Sequence, residues 1–389
     1  MEWGGGSARY RRFAERVIVG RNDRGEGFLM AFGFRKTCGL LAAAAMVLAP
    51  PASAQPTPIP LGENATWKSE EATLEMPPEL AGFRRDGIVD VGDQRLDVVA
   101  TYRDRTPGTA ATLYLYRAPL ADAALWHDRA LAGIRPHPTL GTPDHTAAAT
   151  EAFVPPRHGG VASGLRTVMP LRGTAFRSTG LAIFALDEWL VKVRMTSQVL
   201  DAAQLTARLS AFVEALAYEA PVAPQPVAVM ADCSGVVRFE NASRADPPNV
   251  ATQIVASTFG NLTLDRQGDE SEGARPAALR FCRDAATTAD IGIYRPNGSE
   301  IAYIMTFGDA GVSASVQQLP AAELLAGPGG QDFWISLSTI YETATFRGFR
   351  ALPRPEQVLQ VLQAERPVTR STRGVDGKPT VSISVDRAE

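Results

Sequence analysis

The run Gly39-Leu-Leu-Ala-Ala-Ala-Ala-Met-Val-Leu48 is the feature that most narrows what this chain can become. Arg35 and Lys36 precede it, the helix-breaking Pro50 and Pro51 follow, and Ala52-Ser53-Ala54 has the small-x-small form after which a signal peptidase cuts. The run is far shorter than the roughly 20 apolar residues a membrane-spanning helix needs. The spacing predicts a signal peptide over 30–54 that starts at Met30 and is cleaved after Ala54, leaving a periplasmic chain that begins at Gln55. Residues 1–29, with six arginines, four acids and no periodicity, read as a leader outside the folded protein. Within it Arg11-Arg12 lies too far from the apolar run to serve as a twin-arginine signal.

Export fixes the redox setting in which the rest must fold. Cys38 belongs to the export segment, so Cys233 and Cys282 are the only cysteines after residue 54. An oxidising compartment lets them bond, and a loop of that length constrains the unfolded chain by roughly 4 kcal/mol. Charge also changes with cleavage. The whole chain has 39 basic and 42 acidic side chains; residues 1–54 hold eight and four of them, which leaves 31 against 38 and a net charge of −7. An acidic chain without a basic cluster is a poor partner for nucleic acid. No later segment is apolar enough to predict a transmembrane helix in the mature chain.

Three prolines, Pro221, Pro224 and Pro226, divide what remains. Each lacks a backbone donor and favours an extended path, so 219–231 reads as a linker. Residues 55–66 form an extended, mobile lead-in, 67–218 a first domain, 232–368 a second domain, and 369–389 a polar tail with an edge strand at Thr380–Val385. The expected fold class is α+β, each domain being a mainly antiparallel sheet with packed helices.

In the first domain Phe83–Val89, Gln94–Tyr102 and Ala111–Arg117 alternate as strands, and Pro107-Gly108 turns between the last two. Asp122 is placed to cap a helix carrying Ala123, Trp126, Ala130 and Ile134, and a long loop, 135–160, follows. Strands resume at Leu165–Pro170, Leu181–Ala185 and Trp189–Met195. The closing helix carries Leu205, Leu209, Phe212, Val213 and Leu216, with Asp201 and Gln204 in capping-box spacing. In the second domain Ala277–Cys282, Asp290–Tyr294, Glu300–Phe307 and Val312–Gln318 form a meander with a hairpin turn at Pro296-Asn-Gly-Ser299. Ile335–Thr345 fits helix or strand, and Pro355 opens a helix with Val358, Leu359 and Leu362.

The element order over 67–218, with the hairpin strand Trp189-Leu-Val-Lys-Val-Arg-Met195 ahead of a terminal amphipathic helix, resembles the Mog1/PsbP-like superfamily of α-β-α sandwiches. The resemblance implies a protein that binds or assists partners, and no functional residue of that superfamily maps onto a position of this chain.

All four histidines, His127, His137, His145 and His158, fall in one stretch, and Asp144 lies among them. Imidazole and carboxylate ligands make a metal site there the candidate for enzymatic chemistry, although the spacing lacks His-Glu-x-x-His. Apart from His127, beside the Trp126 helix face, the histidines are expected at solvated loop positions. Ser163 lacks Gly-x-Ser-x-Gly spacing, and Gly327-Pro-Gly-Gly330 lacks the Lys-Ser/Thr of a phosphate loop. Leu113 and Leu115 take one face of their strand, so Tyr114 and Tyr116 are expected to be exposed and to mark a contact surface. The expected function is that of an exported, non-catalytic envelope protein that binds a protein partner or a small apolar ligand and needs no cofactor. The alternative is a periplasmic hydrolase or metalloenzyme built on 127–158.

Overall fold

Alternating burial marks strands such as Asp97–Asp104 and Thr109–Arg117, while others, such as Ile291–Pro296, are buried throughout. A computed structural model describes residues 56–92, 94–235, 237–246, 280–318, 332–373 and 379–383. The leader, the export segment with its cleavage point, the sequence Gly327–Gly330 and the first half of the expected strand at Ala277–Cys282 lie outside them. In chain order the first half contains β1 (Thr57–Pro58), β2 (Trp67–Lys68), β3 (Glu75–Met76), β4 (Glu79–Leu80), β5 (Phe83–Asp90), β6 (Asp97–Asp104), β7 (Thr109–Arg117) and helix α1 (Ala123–Ala132). It continues through β8 (Thr142–Pro143), β9 (Ala149–Phe153), β10 (Gly164–Arg172), β11 (Ser178–Leu186), β12 (Trp189–Ser197) and helix α2 (Ala202–Glu214). The second half contains β13 (Phe281–Arg283), β14 (Ile291–Pro296), β15 (Tyr303–Phe307), β16 (Val312–Gln318), β17 (Phe333–Ser338), β18 (Glu342–Phe349), helix α3 (Pro355–Ala364), β19 (Thr369–Arg373) and β20 (Pro379–Ile383).

The expected α+β class is corrected: the architecture is mainly β, with 42% strand against 13% helix. Among the described residues helical periodicity persists in three α-helices, and stretches read as loop or ambiguous turn out to be extended. The loop 135–160 contains β8 and β9. Ile335–Thr345 resolves as strand: it holds the end of β17, the turn 339–341 and the start of β18, with Thr339 N donating to Glu342 O at 2.8 Å to close the hairpin.

Two antiparallel meanders, β5-β6-β7 and β10-β11-β12, join edge to edge where β7 pairs with β12, and this makes a ten-stranded sheet. Its two faces separate cleanly by residue parity. Leu113, Leu115, Ala182, Phe184, Val191 and Val193 pack against Leu205, Leu209 and Phe212 of α2. Leu181, Ile183, Leu190 and Met169 pack against Leu125 and Trp126 of α1 on the other face. Asp201 and Gln204 form the capping box that starts α2, each side chain bonding the other's backbone N–H. Asp122 starts α1 by accepting from Leu125 N at 2.7 Å.

Eight strands, β13 to β20, lie in sequence order in the antiparallel second sheet. Its core joins Ile293, Tyr303, Met305, Val316, Ile335 and Phe346 to Val358 and Leu359 of α3. Beyond α3, β19 pairs with β18, and β20, which overlaps the expected edge strand Thr380–Val385, pairs with β19. Neither proline-rich segment is a free tether. Thr57 and Pro58 pair with β5, and Ile59 is buried behind them. Val227 N donates to Ala162 O, Val222 N donates to Asp187 Oδ1, and Met230 packs into the cluster around Trp126.

The two sheets meet across α1, whose residues Leu125 to Ala130 are all buried. Tyr294 of β14 enters the same apolar cluster as Trp126 and Leu190. Cys233 and Cys282 are disulfide-bonded, as expected, with Cα atoms 4.8 Å apart. No helix among the described residues is long and apolar enough to cross a membrane.

Candidate functional site

The polar triplet on α1, His127-Asp128-Arg129, would be costly to bury without partners, and each member has them. His127 Nε2 lies 2.9 Å from Thr167 Oγ1 on β10, which in turn lies 2.7 Å from Thr150 Oγ1 on β9. Asp128 accepts from Arg283 at 2.6 and 3.2 Å and from the Tyr294 hydroxyl at 2.6 Å. Arg129 spreads its guanidinium over the carbonyls of Thr288, Ala289 and Asp290 at 3.3 to 3.4 Å. One helix thus bonds the first sheet with one residue and the second sheet with the next two.

A second polar contact lies on the same face of the first sheet. Lys192 Nζ meets Asp309 Oδ2 at 2.7 Å, and the rings of Tyr114 and Tyr116 lie 4.5 and 5.7 Å from the ammonium. Tyr116 also donates to Asp309 O at 3.3 Å. The exposure expected of the tyrosine pair is therefore corrected. Tyr116 is fully buried, because the turn between β15 and β16 lies across the strand face that local alternation left open.

The structure does not bring the four histidines together. Among the described residues no group of three or more His, Cys, Asp or Glu side chains is arranged to hold a metal ion. His158 is buried, not solvated: its Nδ1 lies 2.5 Å from Ser163 Oγ, and its ring meets Phe184 and Tyr218 edge-on. Burial lowers the pKa of both His127 and His158 to about 4, so both imidazoles are neutral. His145 Nε2 donates to Ile134 O at 3.0 Å, and His137 Nδ1 accepts from Thr139 N at 3.2 Å. A hydrogen bond from Thr146 and the nearby Arg172 hold the Asp144 carboxyl below its ordinary range. Each of these groups serves the turn or core in which it sits.

The outer edge of the first sheet offers a different kind of site. Among the described residues β9 pairs only with β10, through Ala149 to Phe153. Beside it a groove of about 200 Å³ opens between the strand and α2, lined by Phe153, Val154, Arg166, Leu209, Val213 and Glu214. Val154 at its mouth is 49% exposed. Gly164 is required below: a Cβ there would stand 2.5 Å from the Phe153 ring. Arg166 bonds Glu151 at 2.7 Å and Ser210 at 2.5 Å, which fixes the polar wall.

Compared with known proteins, the chain matches no family model and no curated relative. Sequence reasoning missed the Lys192–Asp309 and Arg283–Asp128 pairs. The available signal for the first was a lone lysine inside the strongest apolar strand, together with an acid in the glycine-flanked turn Gly308-Asp-Ala-Gly311.

Proposed function

We propose that this protein is an exported, non-catalytic component of a bacterial envelope that binds an extended segment of a protein partner along β9. The observation that carries the reading is the coincidence of a strand paired on one side with a groove beside it. An extended segment added to such an edge gains main-chain hydrogen bonds, and its alternate side chains find pockets. The groove is smaller than the roughly 300 to 1,000 Å³ usual for a separate small ligand. It suits one side chain of a bound peptide, which favours a protein partner over a free apolar ligand. The apolar run ahead of Ala52-Ser53-Ala54 and the disulfide, which an oxidising compartment permits, support the export reading. Helices on both faces of the first sheet fit the resemblance to partner-binding α-β-α sandwiches.

The test is selection of peptides from a random displayed library on the mature, oxidised protein. Selected peptides are expected to lose about tenfold or more in affinity for Val154→Asp, a change of roughly 1.4 kcal/mol, and to bind Val222→Asp normally. Peptides that ignore the Val154 change, or a library that yields none, would count against β9 as the site.

A further inference from the structure

We infer that the Cys233–Cys282 disulfide is a reducible lock on the seat of α1 between the two sheets. The inference starts from what the bond holds. Ala231–Cys233 lies along the outer side of β13, with Arg283 N donating to Ala231 O and Cys233 N donating to Arg283 O, both at 2.8 Å. β13 has only three residues, and its other side pairs with β14. Cys282 immediately precedes Arg283, whose guanidinium grips Asp128 of α1 and reaches Asp232 at 3.2 Å. The covalent bond, the short strand and the helix therefore form one linked unit.

The lock is placed for exchange. Both cysteines are half-buried, so a small dithiol can reach the bond from solvent. A dithiol reductant supplies the electrons. One of its thiolates attacks a sulfur of the bond and the other cysteine leaves as thiolate; the reductant's second thiol then displaces the mixed disulfide. The reductant ends as a disulfide, and the two cysteines have gained two electrons and two protons.

With the bond open, the outer segment keeps its two backbone bonds to β13 and the bonds from Arg295 Nη2 to Ser234 O and Gly235 O, both 2.9 Å. Fraying of β13 then withdraws Arg283 from Asp128. The Asp128 carboxylate is nearly buried, and with Tyr294 as its remaining sheet partner it draws water into the junction and loosens α1.

Hydrogen exchange of the mature protein, oxidised and then reduced with dithiothreitol under native conditions, tests this. The amides of residues 123–132 are expected to exchange about tenfold faster after reduction, with the β5 to β7 amides unchanged. In an Asp128→Asn background reduction should change that exchange by less, because the contact it releases is already weakened. Cys233→Ser with Cys282→Ser should reproduce the reduced state; where that variant does not fold, reduction of the folded protein carries the test. Faster exchange confined to 231–235 and 280–283, additive effects with Asp128→Asn, or a bond that resists the dithiol in the native state would each overturn the inference.

Discussion

Lys192 on the central strand β12 and Asp309 in the turn between β15 and β16 form an ion pair, 2.7 Å long, that ties one sheet to the other. Its two ends are unequally buried: the lysine side chain is 3% exposed and the aspartate 21%. That difference sets the order of two substitutions. Asp309→Ala takes this carboxylate from a nearly buried ammonium and is expected to cost more, about 3 kcal/mol, than Lys192→Met, which keeps the apolar stem, lets Asp309 hydrate and costs about 1 kcal/mol. Urea unfolding of both variants checks the order, and a larger loss for Lys192→Met would contradict it.

Gly292 on β14 marks how closely α1 approaches the second sheet. A Cβ there would stand 2.6 Å from Arg129 Cδ, 2.4 Å from Tyr294 Cε2 and 2.5 Å from Thr306 Oγ1. Gly292→Ala should therefore lower stability by about 1 to 3 kcal/mol through overpacking at the junction. Gly298, at a φ of +71° with open space around it, is the control: its replacement by alanine strains the hairpin turn but leaves α1 seated, which hydrogen exchange of residues 123–132 would read.

Local chemistry was legible in the sequence and remote chemistry was not. The Asp201–Gln204 capping box, the Asp122 cap, the turn at Asn297-Gly298 and the Pro355 helix start depend on residues within a few positions of one another, and all form as read. The disulfide was legible because the expected signal peptide takes Cys38 and leaves one pair of cysteines. Fold class failed because short apolar runs such as Phe333–Ser338 have the same appearance in a buried strand and a buried helix. The burial of Tyr116 and Lys192 depends on Asp309, more than a hundred residues away in sequence, and alternation within β7 or β12 carries no trace of it. For the same reason the histidine cluster in sequence dispersed in space: α1 carries His127 to the junction of the sheets, and His158 sits on the opposite face with Phe184 and Tyr218.

Acid should weaken the fold between pH 6.5 and 4. Burial holds His127 and His158 at about 4, against an ordinary value of 6.5, so both stay neutral in the fold while the unfolded chain binds protons. Their contribution to stability is complete above pH 6.5 and is lost as pH falls through about 4, on the order of 3 kcal/mol for His127. Asp122 acts in the opposite sense. Burial raises its pKa from 3.8 to about 6, so its contribution is complete below 3.8 and is lost as pH rises through about 6. Two groups outweigh one. Chemical denaturation across this range should show a shallower acid loss for His127→Gln and a steeper one for Asp122→Asn, which keeps a cap acceptor but removes the opposing titration; equal slopes in all three proteins would contradict the assignment.

Export and the disulfide can be tested in one preparation. Expression from Met30 in a Gram-negative host is expected to give a periplasmic protein whose first residue is Gln55, because Ala52 and Ala54 supply the small side chains a signal peptidase needs. A thiol count on that denatured protein should find no free cysteine: Cys38 leaves with the signal, and Cys233 is bonded to Cys282. Ala54→Trp should block cleavage and hold the chain at the membrane with Cys38 as its single free thiol. The same mature chain expressed from Gln55 behind a plain methionine stays in a reducing compartment, where both cysteines should titrate. Uncut protein recovered from the cytoplasm of the Met30 strain would refute the export segment, and two free thiols in correctly cleaved periplasmic protein would refute the bond under native conditions.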